Sequence, residues 1–256
     1  MKQRNIRFTY LFPDSFNLHG DRGNAMAFER VTQRMNASFE YRKIDSFEDE
    51  LNFDDTDILF VSPGELRTCE GIAKLLMPKR EQFVRYLERG GTMIVVGTSI
   101  ALFAKETVRM DGSRFEGLHL VDASCTERKI TYSNDEVYIC ERFGEPMQIV
   151  GGQIQMIDIS RNGEEALGTV SYGYGNCHAE HEGIVKDRFI FTNTLGPVFI
   201  KNPWFAAEII GNILSQNENN IEYRMPDFSL EHKSNEQIIE FINIKKEKYD
   251  KTRLEK

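Results

Sequence analysis

The 256-residue sequence lacks any run approaching the 18 apolar residues a membrane span needs, so no span is expected. It has no excess of positive charge: 32 Lys and Arg against 40 Asp and Glu give a net charge of −8. Nucleic-acid binding needs a basic surface for phosphate contact, so that class of partner is excluded. No apolar stretch follows the basic residues of Met1–Arg7, so no signal peptide is expected and a cytoplasmic location is. Cysteine is sparse and unpaired. Cys69, Cys125, Cys140 and Cys177 form no C-x-x-C, which points to reduced thiols. Cys177 with His178 and His181 is the nearest approach to a zinc ligand set, and the spacing is wrong for one, so neither metal nor cofactor is expected.

What is present is a β/α alternation over the first hundred residues. Strands are expected at 7–12, 39–44, 57–62 and 92–97. The 57–62 and 92–97 segments are apolar on both faces, as inner parallel strands are. Helices are expected at 23–35, at 69–88 with a break near Pro78, and at 99–105. From 117 to 193 the pattern changes to short strands, at 136–140, 147–150, 155–159, 166–171 and 188–193. A helix at 203–216 starts on Pro203. A last amphipathic helix is expected at 235–249, inside a C-terminal extension spanning 216–256. Its 245–256 end carries six basic and three acidic residues and reads as a solvated helix end.

Three turns at the carboxyl ends of expected strands stand out, where open α/β sheets keep their chemistry. Residues 11–24 read L-F-P-D-S-F-N-L-H-G-D-R-G-N, residues 61–65 read V-S-P-G-E, and residues 96–100 read V-G-T-S-I. A sharp strand-to-helix turn exposes one side chain beside free N–H groups, a setting that suits an anionic nucleophile. In the first turn, Asp14, Asn17, Asp21, Arg22 and Asn24 suit either turn chemistry or a loop at the mouth of a cleft. Gly64 in the second turn can present its N–H to an anion.

These segments resemble the cobyric acid synthase type of class I glutamine amidotransferases, and within it the glutaminase subunit of lipid II isoglutaminyl synthase. The first turn is similar to that family's Y-P-D-x-x-N-x-Y-G-D-x-G-N. Residues 115–122, 151–156, 172–183 and 192–203 resemble its later blocks in the same order. The resemblance covers about residues 6–215. It implies a three-layer α/β domain with a mostly parallel sheet, and a process such as peptidoglycan precursor amidation or a cobalamin-type pathway. In that family a Cys at the third turn attacks the glutamine amide and a His activates it. Here V-V-G-T-S-I stands for V-C-G-G-Y-Q, which puts Val96 at the nucleophile position, and Leu195 in T-L-G-P falls on the His. Gln153 and Gln155 replace a Glu and a His in G-Y-E-I-H-M.

The expectation is therefore an amidotransferase-like protein without glutaminase chemistry. It would act by binding, through a Mur-ligase-like synthetase partner or a small molecule in the former glutamine pocket. The alternatives are a glutaminase with a relocated nucleophile, Ser99 or Cys177 with a base from His119, His178 or His181, and a stand-alone binding module. Ser99 is better read as a helix cap whose hydroxyl accepts an N–H bond. Arg128 stands where a family Arg would hold the glutamine carboxylate. Gly97, Gly175 and Asn176 complete the residues expected to line the cleft or face a partner.

Overall fold

The computed structural model describes residues 5–46, 49–177, 180–216, 223 and 225–254. His178 lies outside them, as do parts of the 216–256 segment. The chain adopts the three-layer α/β fold expected. Its central sheet follows the order β11-β12-β4-β3-β1-β2, with β1 at Asn5–Leu11, β2 at Ser38–Ile44, β3 at Ile58–Val61, β4 at Thr92–Val96, β11 at Ile184–Lys186 and β12 at Phe189–Thr192. All neighbours are parallel except the β11–β12 hairpin.

Alternate residues of each strand serve opposite faces. Phe8, Tyr10, Phe60, Ile94 and Ile190 pack against α1 (Arg22–Arg34) and, from the other end of the chain, α4 (Val198–Lys201) and α5 (Pro203–Gln216). Leu59, Val61, Met93, Val95, Phe189 and Phe191 pack against α2 (Leu66–Leu76) and α3 (Arg80–Glu88). Both faces being covered explains the unbroken apolar strands. The helix expected at 69–88 starts earlier and is divided at Pro78, where the missing N–H leaves a 3-10 turn, Met77–Lys79, between α2 and α3.

Two expectations need correction. The helix foreseen at 99–105 is a 3-10 turn, Gly97–Leu102. Its later carbonyls do not continue a helix because another segment takes them: Leu118 N–H bonds Leu102 O at 2.7 Å, Leu120 N–H bonds Phe103 O at 2.8 Å and His119 N–H bonds Ala104 O at 3.2 Å. Gly117 makes this possible, since a Cβ there would lie 2.5 Å from Ala104 O. The second correction concerns residues 124–160. They form two long antiparallel strands, β7 (Ser124–Cys140, 17 residues) and β8 (Met147–Ser160, 14 residues). This hairpin organises a second sheet. β5 (Glu106–Val108) and β9 (Gly168–Tyr172) pair with the start and end of β7, β6 (Arg114–Glu116) extends β5, and β10 (His181–Glu182) extends β9.

The last helix, α6 (Ser229–Leu254), begins earlier than expected and lays Ile242 on Val137 and Val150 of the hairpin. Among the described residues no helix is long and apolar enough to cross a membrane.

One amide ties these layers together. Asn202, fully buried, accepts the Val150 N–H at 2.9 Å and donates to Val150 O at 2.9 Å and to Val198 O at 2.7 Å. Asn235 of α6 donates to the same Asn202 oxygen at 3.0 Å. An Ala at 202 would leave the buried Val150 N–H and C=O without these partners, each costing on the order of 1–3 kcal/mol. Asn202→Ala is expected to lower the unfolding free energy by about 2–4 kcal/mol. Chemical denaturation of the full chain measures it.

Candidate functional site

The carboxyl ends of β1, β3, β4 and β12 converge, and the three turns singled out in the sequence meet there. β4 ends in Val96, whose backbone is extended (φ −122°, ψ 131°), and the bend comes at Gly97, with φ +62°. The strained apex of a strand-to-helix nucleophile turn has positive φ. The apex is therefore Gly97, one residue beyond the Val96 expected from the sequence. A Cβ built on Gly97 would stand 2.9 Å from Pro63 Cβ and 3.3 Å from Leu195 Cδ2. A side chain at this apex would point at Leu195, and that space is filled with carbon. Val96 and Leu195 are both buried in the same apolar cluster. Neither residue can hold a proton or attack a carbonyl.

The polar groups around the turn are committed to the backbone. Thr98 Oγ1 accepts the Gly64 N–H at 3.1 Å and donates to Gly64 O at 2.5 Å, so the N–H that could steady an oxyanion is occupied. Gly64 is itself a fixture of packing, because a Cβ there would lie 1.9 Å from the Phe16 ring. Ser99 is fully buried and donates to Val96 O at 2.8 Å. It acts on a carbonyl, whereas a capping hydroxyl would accept an N–H.

The first turn bonds within the fold. Arg22 pairs with Asp14, and its N–H reaches Asn17 Oδ1 at 3.3 Å. Asn24, at the start of α1, accepts the Phe199 N–H of α4 at 3.0 Å. Asp21 is fully buried and accepts the His19 N–H at 3.3 Å; burial raises its pKa to about 6.

The remaining expected residues lie along the β7–β8 hairpin and the loop after β9. Arg128 donates to Asp158 at 2.5 Å and to the Tyr174 hydroxyl at 2.5 Å, so its charge already has a carboxylate. Gly175 N–H bonds Glu136 at 3.0 Å, and Asn176 clasps Gly183 through both backbone groups at 2.9 Å. Exposed Cys177 and half-buried His181 share a cleft of about 470 Å³ with Asp158. Burial, and then Asp158, push the Cys177 thiol pKa up, the reverse of what a nucleophile requires. His119 sits beside the 3-10 turn's carbonyls, in another cleft. Among the described residues no group of three His, Cys, Asp or Glu is placed to hold a metal ion.

Sequence reasoning passed over the most unusual chemistry here, a layer of buried acids beside Leu195. Glu136 is fully buried and accepts from the Thr194 hydroxyl at 2.8 Å. Glu182, also fully buried, accepts the Asn193 N–H at 2.5 Å and the Thr192 hydroxyl at 3.1 Å, while its second oxygen has no hydrogen-bond partner among the described residues. Burial raises the Glu136 pKa to about 7. Burial, and then repulsion from Glu136, hold Glu182 well above the carboxylate range. Gln153 and Gln155 continue the layer as neutral amides, donating to Gly175 O at 2.8 Å and Asn176 O at 2.7 Å. A signal for Glu136 does exist in the sequence. It alternates with Tyr138 and Cys140, placing an acid on the inward face of a strand.

No protein-family model matches this sequence, and neither does any curated protein. Solved structures do. PurLQS from Thermotoga maritima is similar with a TM-score of 0.53 at 10% identity, over 83% of this chain and 99% of that one. A glutamine amidotransferase is similar with a TM-score of 0.47 at 16% identity, over 79% and 98%. Another from Thermotoga maritima gives 0.46 at 11%, over 84% and 86%. At 10% identity the likeness to PurLQS shows the fold, which is of the class I glutamine amidotransferase type.

The buried acids set a pH dependence. Glu136, Glu182 and Asp21 have folded pKa values above the ordinary carboxylate range, so the stability they allow is full at low pH and is lost as pH rises through about 7. His19 works the other way, because burial lowers its pKa. Stability is therefore expected to fall between pH 5 and 8. Glu182→Gln should flatten that slope, as unfolding curves measured across the range would show.

Proposed function

We propose that this protein is a catalytically silent glutamine amidotransferase-like subunit of the cobyric acid synthase and lipid II isoglutaminyl synthase type, and that it works by binding. The carrying observation is the apex of the β4 turn. Gly97 replaces a side chain there, and Pro63 and Leu195 fill the volume a thiol and its base would use. Loss of a nucleophile or its base costs on the order of 10⁴–10⁶ in rate, and here both positions are aliphatic or empty of side chain.

The substitutes are poorly placed. Ser99 is buried and spends its hydroxyl on Val96 O, and the Cys177 thiol is shifted away from ionisation. The order of sequence blocks along residues 6–215 supports the subtype, with 216–256 as a separate helical extension. A subunit of this kind would dock in the cytoplasm on a Mur-ligase-like synthetase, in cell-wall precursor amidation or a cobyric-acid-type pathway. The turn at 12–24, where Asp14, Asn17 and Arg22 lie at least partly exposed around Gly20, is the surface best placed for that contact or for a ligand at the former pocket.

Purified protein incubated with glutamine is expected to release no ammonia above the uncatalysed rate, alone or with a synthetase that co-purifies with it. Coupled glutamate dehydrogenase assays measure this. Ammonia release abolished by Cys177→Ala or Ser99→Ala would replace this reading with a relocated nucleophile.

A further inference from the structure

At the opposite end of the central sheet, a positive charge stands without a counter-charge among the described residues. The tight turn between β11 and β12, with Asp187 at φ +52°, sets Arg188 at the start of β12. Its guanidinium's one described hydrogen bond is Nη1 to Thr92 Oγ1 at 3.5 Å, the outer limit of such a bond. Among the described residues no carboxylate forms an ion pair with it. Its basic neighbours differ: Arg80 pairs with Glu81 at 2.7 Å, Lys186 with Glu164 at 3.0 Å and Arg142 with Glu165 at 2.8 Å. Arg188 is half-buried, and burial pulls its pKa down, the mark of a guanidinium that has lost water and gained no acid.

The same guanidinium lines clefts on both sides of β12. The larger, of about 590 Å³, lies between α3 and the β11–β12 turn. That size is in the range of small-molecule sites. Val84, Leu87 and Leu120 give it an apolar wall, and Arg80 adds charge, though its own donors are taken by Glu81 and the carbonyls of Leu118 and His119. Glu88 and Asp187, which also line this cleft, disfavour a ligand with many negative charges.

We infer that Arg188 anchors a binding site for a small molecule that carries one phosphate or carboxylate group on an apolar body. The guanidinium fork would take two oxygens of that group, which no described carboxylate supplies, and the body would lie against α3. This site is independent of the amidotransferase reading and lies at the other end of the strands.

Phenyl phosphate and benzoate serve as probes, with sodium chloride at matched ionic strength as control, in titration calorimetry and thermal unfolding of the full chain. Saturable binding of one probe is expected, and the tighter of the two identifies the anion as phosphate or carboxylate. Arg188→Gln is expected to weaken that binding at least tenfold. Without probe it should melt no lower than the native protein, because it removes an unpaired, partly desolvated charge. Arg188→Lys, which keeps the charge and loses the fork, should bind at least threefold more weakly than native. The inference is overturned if neither probe saturates, if chloride stabilises as well as the probes, or if Arg188→Gln binds as tightly as the native chain. A merely structural Arg188 would appear as a lowered melting temperature in Arg188→Gln with probe binding unchanged.

Discussion

The contact on which this molecule's character depends is the clasp between two turns at the carboxyl end of the sheet. Thr98 holds both backbone groups of Gly64, and Gly97 turns under Pro63 and Leu195. In a nucleophile turn, the strain of positive φ is repaid by exposing a reactive atom to a cleft with free N–H groups nearby. Here the turn carries no side chain at its apex. With no side chain at the apex, the conformation costs glycine nothing, and the carbon around it packs as a core does. The N–H of Gly64 has gone to a hydroxyl of the fold. Chemistry and packing compete for one small volume, and packing occupies it.

Beside that apolar turn lies its electrostatic opposite. Glu136 and Glu182 sit in a water-poor layer whose other members, Gln153, Gln155, Thr192, Thr194 and Asn193, are neutral. Two like charges in such a setting cannot both ionise at ordinary cost, so at least one carboxyl keeps its proton near neutrality. The layer joins β7, β8, β10 and the end of β12, and so connects the two sheets through polar bonds where the neighbouring contacts are apolar. Polar layers of this kind favour one register of packing over its alternatives, at an expense in stability.

Much of the fold was legible because burial writes itself into composition. β3 and β4 are apolar on both faces, and the helix at 203–216 announces itself with Pro203 and its apolar spacing. The β7–β8 hairpin was not legible. Its middle, around Glu127–Glu136, is polar and partly exposed, and the pairing that defines it connects residues up to 36 positions apart, from Ser124 to Ser160. The 3-10 turn after Gly97 was missed for a related reason. Its shape is set by N–H groups of residues 118–120, which no local propensity encodes. At the candidate site, the sequence blocks drew attention to Val96, whereas the positive-φ bend of the turn lies at Gly97. The apex is decided by a backbone angle, and Gly97 next to Val96 carries no side-chain sign of it. Glu182 stood inside a block that drew attention for its glycines, and Glu136 stood among exposed polar residues that disguised its inward face.

The central claim of the proposal is that no described side chain at the β4 turn is placed to attack a glutamine-like carbonyl. Its most direct test is the intact mass of the full chain after prolonged exposure to 6-diazo-5-oxonorleucine, an electrophile shaped like glutamine. The account predicts an unchanged mass under conditions that label an active glutaminase to completion. A stoichiometric adduct that free glutamine protects against, mapped by peptide sequencing to Cys177, Ser99 or any other single residue, would contradict it.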